Sequence, residues 1–451
     1  MRRFEEQYVA LYAEAEQLLC QNSPEVMNAR RGEAMDDFRR LGFPTKKVER
    51  YKYTDVGAAF APDYGVNLRR LVFPMDPYKA YRCSVPNIGT ALYYVVNDMF
   101  YASPAVRRAD LPEGVWVGSL REYDMAHPGE ISKYYARLAK TADDGVTALN
   151  TALAQDGLLI RVPQGVQVGP TLQVVNLMRG DVDLMTSRRV IIIVEDGAEA
   201  GILFCEHSVD KRPFLTTAVM EIYVGKGSRL HLYGVEETES HNRLFENIYV
   251  NMKAQSRLEY AQVTLHNGLT RRRMDCTFDG EDSEARLMGT VVAGGEQQVD
   301  NNLLIDHKAG RCRSDVLYKY VLDDRSRGAF AGKVLVRPDA QRTDSQETNA
   351  NLCVSPEARM FTQPMLEIYA DDVKCNHGST VGQLDQAALF YMAQRGIRPE
   401  EARLLLQHAF VNEVIQQIRL EPLRDRLSVM VEHRFRHGAG NCGDCNLCNN
   451  S

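Results

Sequence analysis

Long apolar runs are missing from this sequence of 451 residues. Its longest purely aliphatic run is Val190–Val194, whereas an α-helix needs about 20 apolar residues to span a bilayer. The opening residues, Met1 to Glu6, become acidic at once and lack the apolar core of a secretory signal. We therefore expect a cytoplasmic protein without a membrane segment, whose ten cysteines are thiols rather than disulfides.

A strong excess of charge of one sign is also absent, and so are the commonest catalytic motifs. Lys and Arg number 54 against 60 for Asp and Glu, a net charge of −6, which is unlike the basic surface of a nucleic-acid-binding protein. There is no P-loop, no complete dinucleotide-binding glycine motif, no His-Glu-x-x-His and no Gly-x-Ser-x-Gly. These absences favour a protein that binds no nucleotide itself.

Helical periodicity marks the two ends of the chain. Apolar residues recur every three or four positions between Phe4 and Leu41, which predicts an amphipathic helical region. Pro399, followed by two glutamates, is typical of a helix start, and apolar stripes continue from there to about Phe435. Both ends are therefore expected to be helical.

The middle of the chain has the period of β-strands. Short runs rich in Val, Ile, Leu and Tyr alternate with polar turns. Four similar turns, at 196–200, 226–230, 254–258 and 282–287, recur about every 30 residues, which predicts a β-solenoid. A β-sandwich with similar turns is the alternative. The expected parts are a helical and mixed N-terminal domain over 1–140, a strand core over 145–385, a helical C-terminal domain over 386–436 and a flexible tail over 437–451.

The segment Asp371–Gly378 holds the most suggestive internal side chains. The apolar alternation changes phase at the Asp pair, which predicts a corner or bulge there. If the chain beyond it is extended, Cys375 and His377 share one face about 6.6 Å apart. Both are transition-metal ligands, but two cannot close a tetrahedral site, so a second subunit would have to supply the others. The alternative is a structural Cys375 and a His377 at the following turn.

The tail contains a denser thiol cluster. Cys442, Cys445 and Cys448 have Cys-x-x-Cys-x-x-Cys spacing, with glycine to let the backbone turn. Such spacing suits a thiolate-ligated zinc or iron–sulfur site, with His437, His433 or a partner as the fourth ligand. A thiol relay for redox or sulfur handling and an incidental reactive tail are the alternatives.

Several segments together resemble the SufB/SufD family, the scaffold subunits of SUF iron–sulfur cluster assembly. The longest match is Leu366–Gly382, and Leu41–Asp55 resembles the N-terminal signature of the SufD group. With shorter matches such as Asp339–Asp344, the resemblance covers nearly the whole chain to about Phe435. The SufB group is the closest rival, but it has a Phe-Glu-His-Glu-Ala-Thr type of segment where this chain has Lys374–Thr380, so SufD fits better.

The resemblance implies a right-handed parallel β-helix core flanked by N-terminal and C-terminal α-helical domains. It also implies a non-catalytic scaffold that pairs with the paralogue SufB through the β-helix and binds the ATPase SufC through residues 386–436. A transient iron–sulfur cluster would form at the SufB interface, where His377 matches the family's histidine and Cys375 lies in the same motif. The three tail cysteines are outside the family pattern, so nothing transfers to them.

Two other classes of function stay open at this point. One is an enzyme on the same fold, such as a polysaccharide lyase, which would need clustered acids and an Arg or Lys base in a carbohydrate cleft. The other is a self-pairing structural solenoid, a homodimer with no metal role.

Overall fold

The chain folds as a mainly β protein with helices at both ends, in a computed structural model that describes residues 3–71, 76–81, 85, 90–102 and 111–437. The helices are α1 (Arg3–Asn22), α2 (Glu25–Leu41), α3 (Val56–Phe60), α4 (Pro77–Ala80), α5 (Leu120–Ala126), α6 (Gly145–Leu153), α7 (Gln386–Gln394), α8 (Pro399–Ile415) and α9 (Glu421–His437). None of the described helices is both long and apolar enough to cross a membrane.

Apart from β1, which precedes α4, the β-strands lie between α4 and α7. They are β1 (Gly65–Val66), β2 (Ala91–Val96), β3 (Met99–Tyr101), β4 (Trp116–Ser119), β5 (Leu158–Val162), β6 (Leu172–Met178), β7 (Leu184–Val194), β8 (Glu199–Ser208), β9 (Phe214–Val224), β10 (Arg229–Glu237), β11 (Arg243–Met252), β12 (Arg257–His266), β13 (Leu269–Phe278), β14 (Glu284–Ala293), β15 (Gln298–His307), β16 (Arg313–Leu322), β17 (Arg327–Val336), β18 (Thr343–Cys353), β19 (Arg359–Ile368) and β20 (Val373–Gly382).

From β5 onward, successive strands alternate between two sheets and wind into a solenoid. The first sheet has the order β4-β5-β7-β9-β11-β13-β15-β17-β19, and the second has β3-β2-β6-β8-β10-β12-β14-β16-β18-β20. Each strand from β5 to β18 pairs in parallel with the strand two places further along the chain. The predicted parallel β-helix is confirmed, and the sandwich alternative is wrong because sandwich strands pair antiparallel.

Stacked apolar ladders fill the space between the two sheets. We call the side of each strand that faces this space its inner face. Ile192, Ile222, Val250, Cys276 and Ile305 are successive register partners in the first sheet, and all are at most 2% exposed. Burying such a ladder removes apolar side chains from water at every turn, which stabilises the solenoid.

The similar turns noted in the sequence have a common backbone role. Gly197, Gly227, Gln255, Asp282 and Arg311 occupy equivalent corners, and all have positive φ between 57° and 67°. The N–H of each donates to a backbone carbonyl in the following turn of the solenoid. Glycine adopts this left-handed conformation freely, whereas other residues adopt it at some cost. The corner ladder therefore accounts for the repeat of about 30 residues that the turns show.

The helices cover the outer faces of both sheets. On the first sheet, residues such as Leu215 and Phe245 pack with the N-terminal helices, and the rings of Phe60 and Phe245 are 5.0 Å apart. On the second sheet, Val292 and neighbouring residues pack with Val411 and other apolar residues of α8 and α9. Helices at both ends thus bury the sheet faces that strands alone would leave in water.

Candidate metal site at the open end of the β-helix

The solenoid is uncovered at its C-terminal end. β19 pairs with β17 and β20 pairs with β18, and among the described residues no further strand adds to either sheet. No residue of β19 or β20 is fully buried, in contrast to the preceding turns. We call this end, formed by β19 and β20, the open end.

The predicted corner precedes the last strand. β19 ends at Ile368 and β20 begins at Val373, so the Asp pair lies in the connection between the two sheets. The carbonyl of Asp372 accepts the N–H of Arg342, which continues the ladder of corner hydrogen bonds. The phase change in the sequence therefore marks a passage from one sheet to the other.

Cys375 and His377 lie on the inner face of β20. Their register partners in β18, Ser345 and Glu347, belong to the buried phase of that strand. Two positions beyond His377, the Ser379 hydroxyl contacts the Thr362 hydroxyl of β19 at 2.6 Å, across the space between the sheets. Cys375 and His377 therefore share the inner face, as alternate residues of one strand do.

The two side chains differ in their environments. Cys375 is partly buried and packs on the last residues of the apolar core. Burial raises the pKa of its thiol, and the nearby Asp344 adds to this effect. His377 is exposed at the open end. The thiol is thus protonated in the isolated chain, and a metal would have to displace its proton to bind.

Glu347 is a functional candidate that the sequence patterns did not reveal. It lies on β18 directly in register with His377, and it is 0% exposed. Neither of its carboxylate oxygens has a hydrogen-bond partner among the described residues. Burial raises the pKa of Glu347 to about 7. A buried carboxyl without partners is unusual, because its desolvation is not offset.

The opposite sheet leaves room for the Glu347 carboxyl. Gly332 lies on β17, and a Cβ at this position would approach Glu347 Oε1 to 2.3 Å. The other inner residues of β18 are mainly polar: Thr343, Ser345, Asn349 and Asn351 precede Cys353, which packs on the apolar core at the end of the strand. In a sequence, such a polar phase is typical of a solvated face, so alternation alone does not identify Glu347 as buried.

The site is incomplete within the part of the chain that the structure describes. No group of three or more His, Cys, Asp or Glu side chains among those residues is placed to hold a metal ion. Cys442, Cys445 and Cys448, predicted as a second site, lie outside the described residues. Any metal at the open end therefore needs rearrangement of these side chains, ligands from elsewhere, or both.

The fold and the open end define a class of protein: a parallel β-helix with helical ends that carries the ligand-type side chains Cys375 and His377 on its last turn. Comparison with known protein families agrees with the resemblance seen in the sequence. A model described as "SUF system FeS cluster assembly, SufBD core domain" matches residues 177–410, and one described as "SufBD protein N-terminal region" matches residues 2–174. The chain belongs to the SufBD family of the SUF system of iron–sulfur cluster assembly, which confirms the resemblance seen in the sequence.

Individual relatives are similar over most of their length. The iron–sulfur cluster assembly protein SufD of Escherichia coli is 31% identical over 89% of this chain and 91% of its own. The SufBD family protein slr0076 of Synechocystis is 27% identical over 91% of both chains. SufD of Bacillus subtilis is 24% identical over 76% of this chain and 79% of its own. Within the family, the chain is thus SufD-like.

Proposed function

We propose that this chain is a non-catalytic scaffold subunit of a cytoplasmic SUF complex, which pairs with the paralogue SufB and binds the ATPase SufC to build and deliver iron–sulfur clusters. The similarity to SufD proteins supports this assignment over a SufB-type paralogue or a polysaccharide lyase. The observation that carries the proposal is the open end, where an uncovered strand presents Cys375 and His377.

The free edge of β20 is suited to pairing with another protein. This strand has ten residues. Lys374 is its one lysine, and it contains no Arg, Asp or Glu. Natural proteins usually protect such edges with charges, prolines or a covering element, and an unprotected edge favours strand addition. We assign this edge to contact with SufB, and a homodimer through the same edge is the competing outcome.

The cluster is cargo that would form in the seam between the two subunits. Cys375 and His377 supply soft and intermediate ligands from this side, and SufB would supply the remainder. Enclosure in the seam would also exclude water from a thiol that is already partly desolvated. For the tail thiols Cys442, Cys445 and Cys448, a second metal site or a sulfur acceptor remains a prediction from the sequence.

The C-terminal helices are the proposed SufC contact. α8 and α9 are anchored on the second sheet, whereas α7 contains no buried residue. Phe390 and Tyr391 on α7 are 67% and 60% exposed. Large exposed aromatic residues are enriched at protein interfaces. SufC would shift the conformation of the seam only if it bound one conformation of this chain more tightly than another. Its contacts with the C-terminal helices would therefore have to depend on its nucleotide state.

Replacing His377 with alanine tests the proposed ligand. In the variant co-expressed with SufB and SufC, we expect the complex to persist and the anaerobic cluster yield to fall roughly tenfold, because a metal ligand is lost. The matched control is Asn376→Ala on the opposite face of the same strand. Yield is measured by visible absorbance and by iron and sulfide content. An unchanged yield with His377→Ala would exclude the ligand role and leave the scaffold assignment standing.

Replacing Phe390 with alanine tests the proposed SufC contact. We expect the affinity for SufC to fall roughly tenfold, since truncating an interface aromatic typically costs more than 1 kcal/mol. The unfolding midpoint should not change, because Phe390 is exposed in the isolated chain. Affinity is measured by calorimetry with purified SufC, and Met125→Ala, also exposed, serves as the control. Equal affinities for both variants would place the SufC contact elsewhere.

A further inference from the structure

The Glu347 carboxyl has no structural role that the described residues explain. Its register neighbours on the inner face are Val316 on β16 and His377 on β20. No described residue donates a hydrogen bond to either oxygen, and no cation offsets its burial. An apolar residue would fill this inner position at lower cost, because a buried carboxyl without partners is destabilising.

The surroundings of Glu347 are arranged to keep a carboxyl there. The absence of a side chain at Gly332 leaves the volume that its oxygens occupy, since a Cβ would lie 2.3 Å from Oε1. On the other side, the neighbouring strand is the last one described, so the carboxyl is one strand below the open end. Adjacent strands of a sheet are about 4.8 Å apart, which is within reach of side-chain rotation for Glu347 and His377.

We propose that Glu347 is an oxygen ligand for ferrous iron, which it would bind together with the imidazole of His377 from the adjacent strand. The inference rests on the proposed function, because iron is the cargo of cluster assembly. Fe(II) accepts carboxylate and imidazole ligands, whereas the thiol of Cys375 is the softer donor suited to a cluster. The positive ion would offset the cost of ionising this buried carboxyl, which has no hydrogen-bond partner among the described residues.

The proposal also accounts for the incomplete site. Among the residues that the structure describes, the ligand-type side chains do not form a group of three around one point. Rotation of the Glu347 and His377 side chains would give two ligands from this subunit, and water or the partner would complete the coordination. Glu347 would thereby hold iron on the inner side of the seam, and Cys375 would lie on the same face for sulfide-bridged iron.

Anaerobic titration with ferrous ammonium sulfate alone, without sulfide or partner subunits, tests the proposal. The protein is the full chain in which Cys442, Cys445 and Cys448 are replaced by serine, so that tail thiols do not bind the added iron. We expect one Fe(II) to bind to this chain. Glu347→Gln and His377→Ala should each weaken binding at least tenfold, and Glu347→Asp should restore part of the affinity. Affinity is measured by competition with a ferrous chelator.

Two further measurements keep the result unambiguous. Glu357→Gln changes an exposed glutamate in the turn after β18 and should bind Fe(II) as the parent does. Co(II) in place of Fe(II) should show ligand-field bands that change with Glu347→Gln, and unfolding midpoints verify that each variant is folded. Equal Fe(II) affinity in Glu347→Gln and the parent, or no binding by the parent, would overturn the proposal. The scaffold assignment is tested separately, by complex formation with SufB and SufC.

Discussion

Replacing Glu221 with alanine is expected to lower the free energy of unfolding by about 3–5 kcal/mol, the range for a broken buried ion pair. Glu221 and Arg189 are both 0% exposed, and their side chains approach to 2.6 Å. The Arg189 guanidinium also lies 4.7 Å from the ring centre of Tyr135. Removing the carboxylate leaves a buried guanidinium without its counter-charge.

The same carboxylate also accepts backbone hydrogen bonds from the segment that covers it. The N–H groups of residues 136 to 139 donate to its two oxygens over distances of 2.8–3.2 Å. Alanine leaves these N–H groups without their acceptor, and the N–H of Ala139, which is buried, would carry the cost of about 1–3 kcal/mol for an unsatisfied buried donor. Glu221 therefore joins the segment before α6 to the outer face of β9, and its loss affects both.

The measurement is a urea unfolding curve followed by circular dichroism. Glu284→Ala is the control, because Glu284 pairs with Arg257 at 3.8 Å and the two side chains are 41% and 60% exposed. Surface pairs contribute about 0–1 kcal/mol, so the control midpoint should be close to that of the parent. Glu221→Gln, which keeps an acceptor oxygen, should lie between the two. Equal midpoints for Glu221→Ala and Glu284→Ala would show that the buried pair stabilises nothing.

Replacing Glu347 with glutamine is expected to stabilise the isolated chain by about 3 kcal/mol near neutral pH. Burial raises the pKa of Glu347 from 4.5 to about 7, and each pKa unit corresponds to about 1.4 kcal/mol. Glutamine has the shape of the protonated acid and never ionises. The substitution therefore removes the cost of keeping this carboxyl buried while the unfolded chain ionises.

The sign of the pH dependence follows from the raised pKa. Below pH 4.5 the carboxyl is protonated in both states and the parent and Glu347→Gln have similar stability. As the pH rises from 4.5 to about 7, the unfolded chain ionises first, so the parent loses stability relative to the variant. Above about pH 7 the difference is constant. Among Val316, Gly332 and His377, which surround Glu347, His377 is the one titratable group.

Urea midpoints at pH 5, 6, 7 and 8 measure this divergence. The exposed Glu357→Gln variant should follow the parent at every pH, and His377→Ala reports whether the neighbouring imidazole contributes. A Glu347→Gln variant that is no more stable than the parent at pH 8 would contradict an ionisable, unpartnered carboxyl in this position.

The stability and iron-binding results for Glu347 together separate function from structure. A residue kept for packing should lose stability on substitution, whereas a ligand held without its metal should gain stability and lose binding. Functional sites in proteins often keep strained or buried polar groups that lower the stability of the fold. Opposite signs in the two measurements are therefore the expected signature of a cargo-binding carboxylate.

The architecture could be predicted from local patterns in the sequence. Alternation with period two defines a strand, and the left-handed corners at Gly197 and Gly227 are visible as turns. The alternation and the corners each depend on residues that are close together in the chain. The same holds for the helix start at Pro399 and the corner before Val373. The placement of Cys375 and His377 on one face of a strand was likewise predictable from alternation.

The sequence by itself determined the fold class, the repeat and the shared face of Cys375 and His377. Only the tertiary structure decided that Glu347 is the register partner of His377, and that Glu221 meets the segment at 136–139. Both relations join residues that are distant in the chain, and they depend on the length of every intervening turn. Because a change of one residue in that length moves a side chain to the other face of the sheet, such register cannot be read from local alternation.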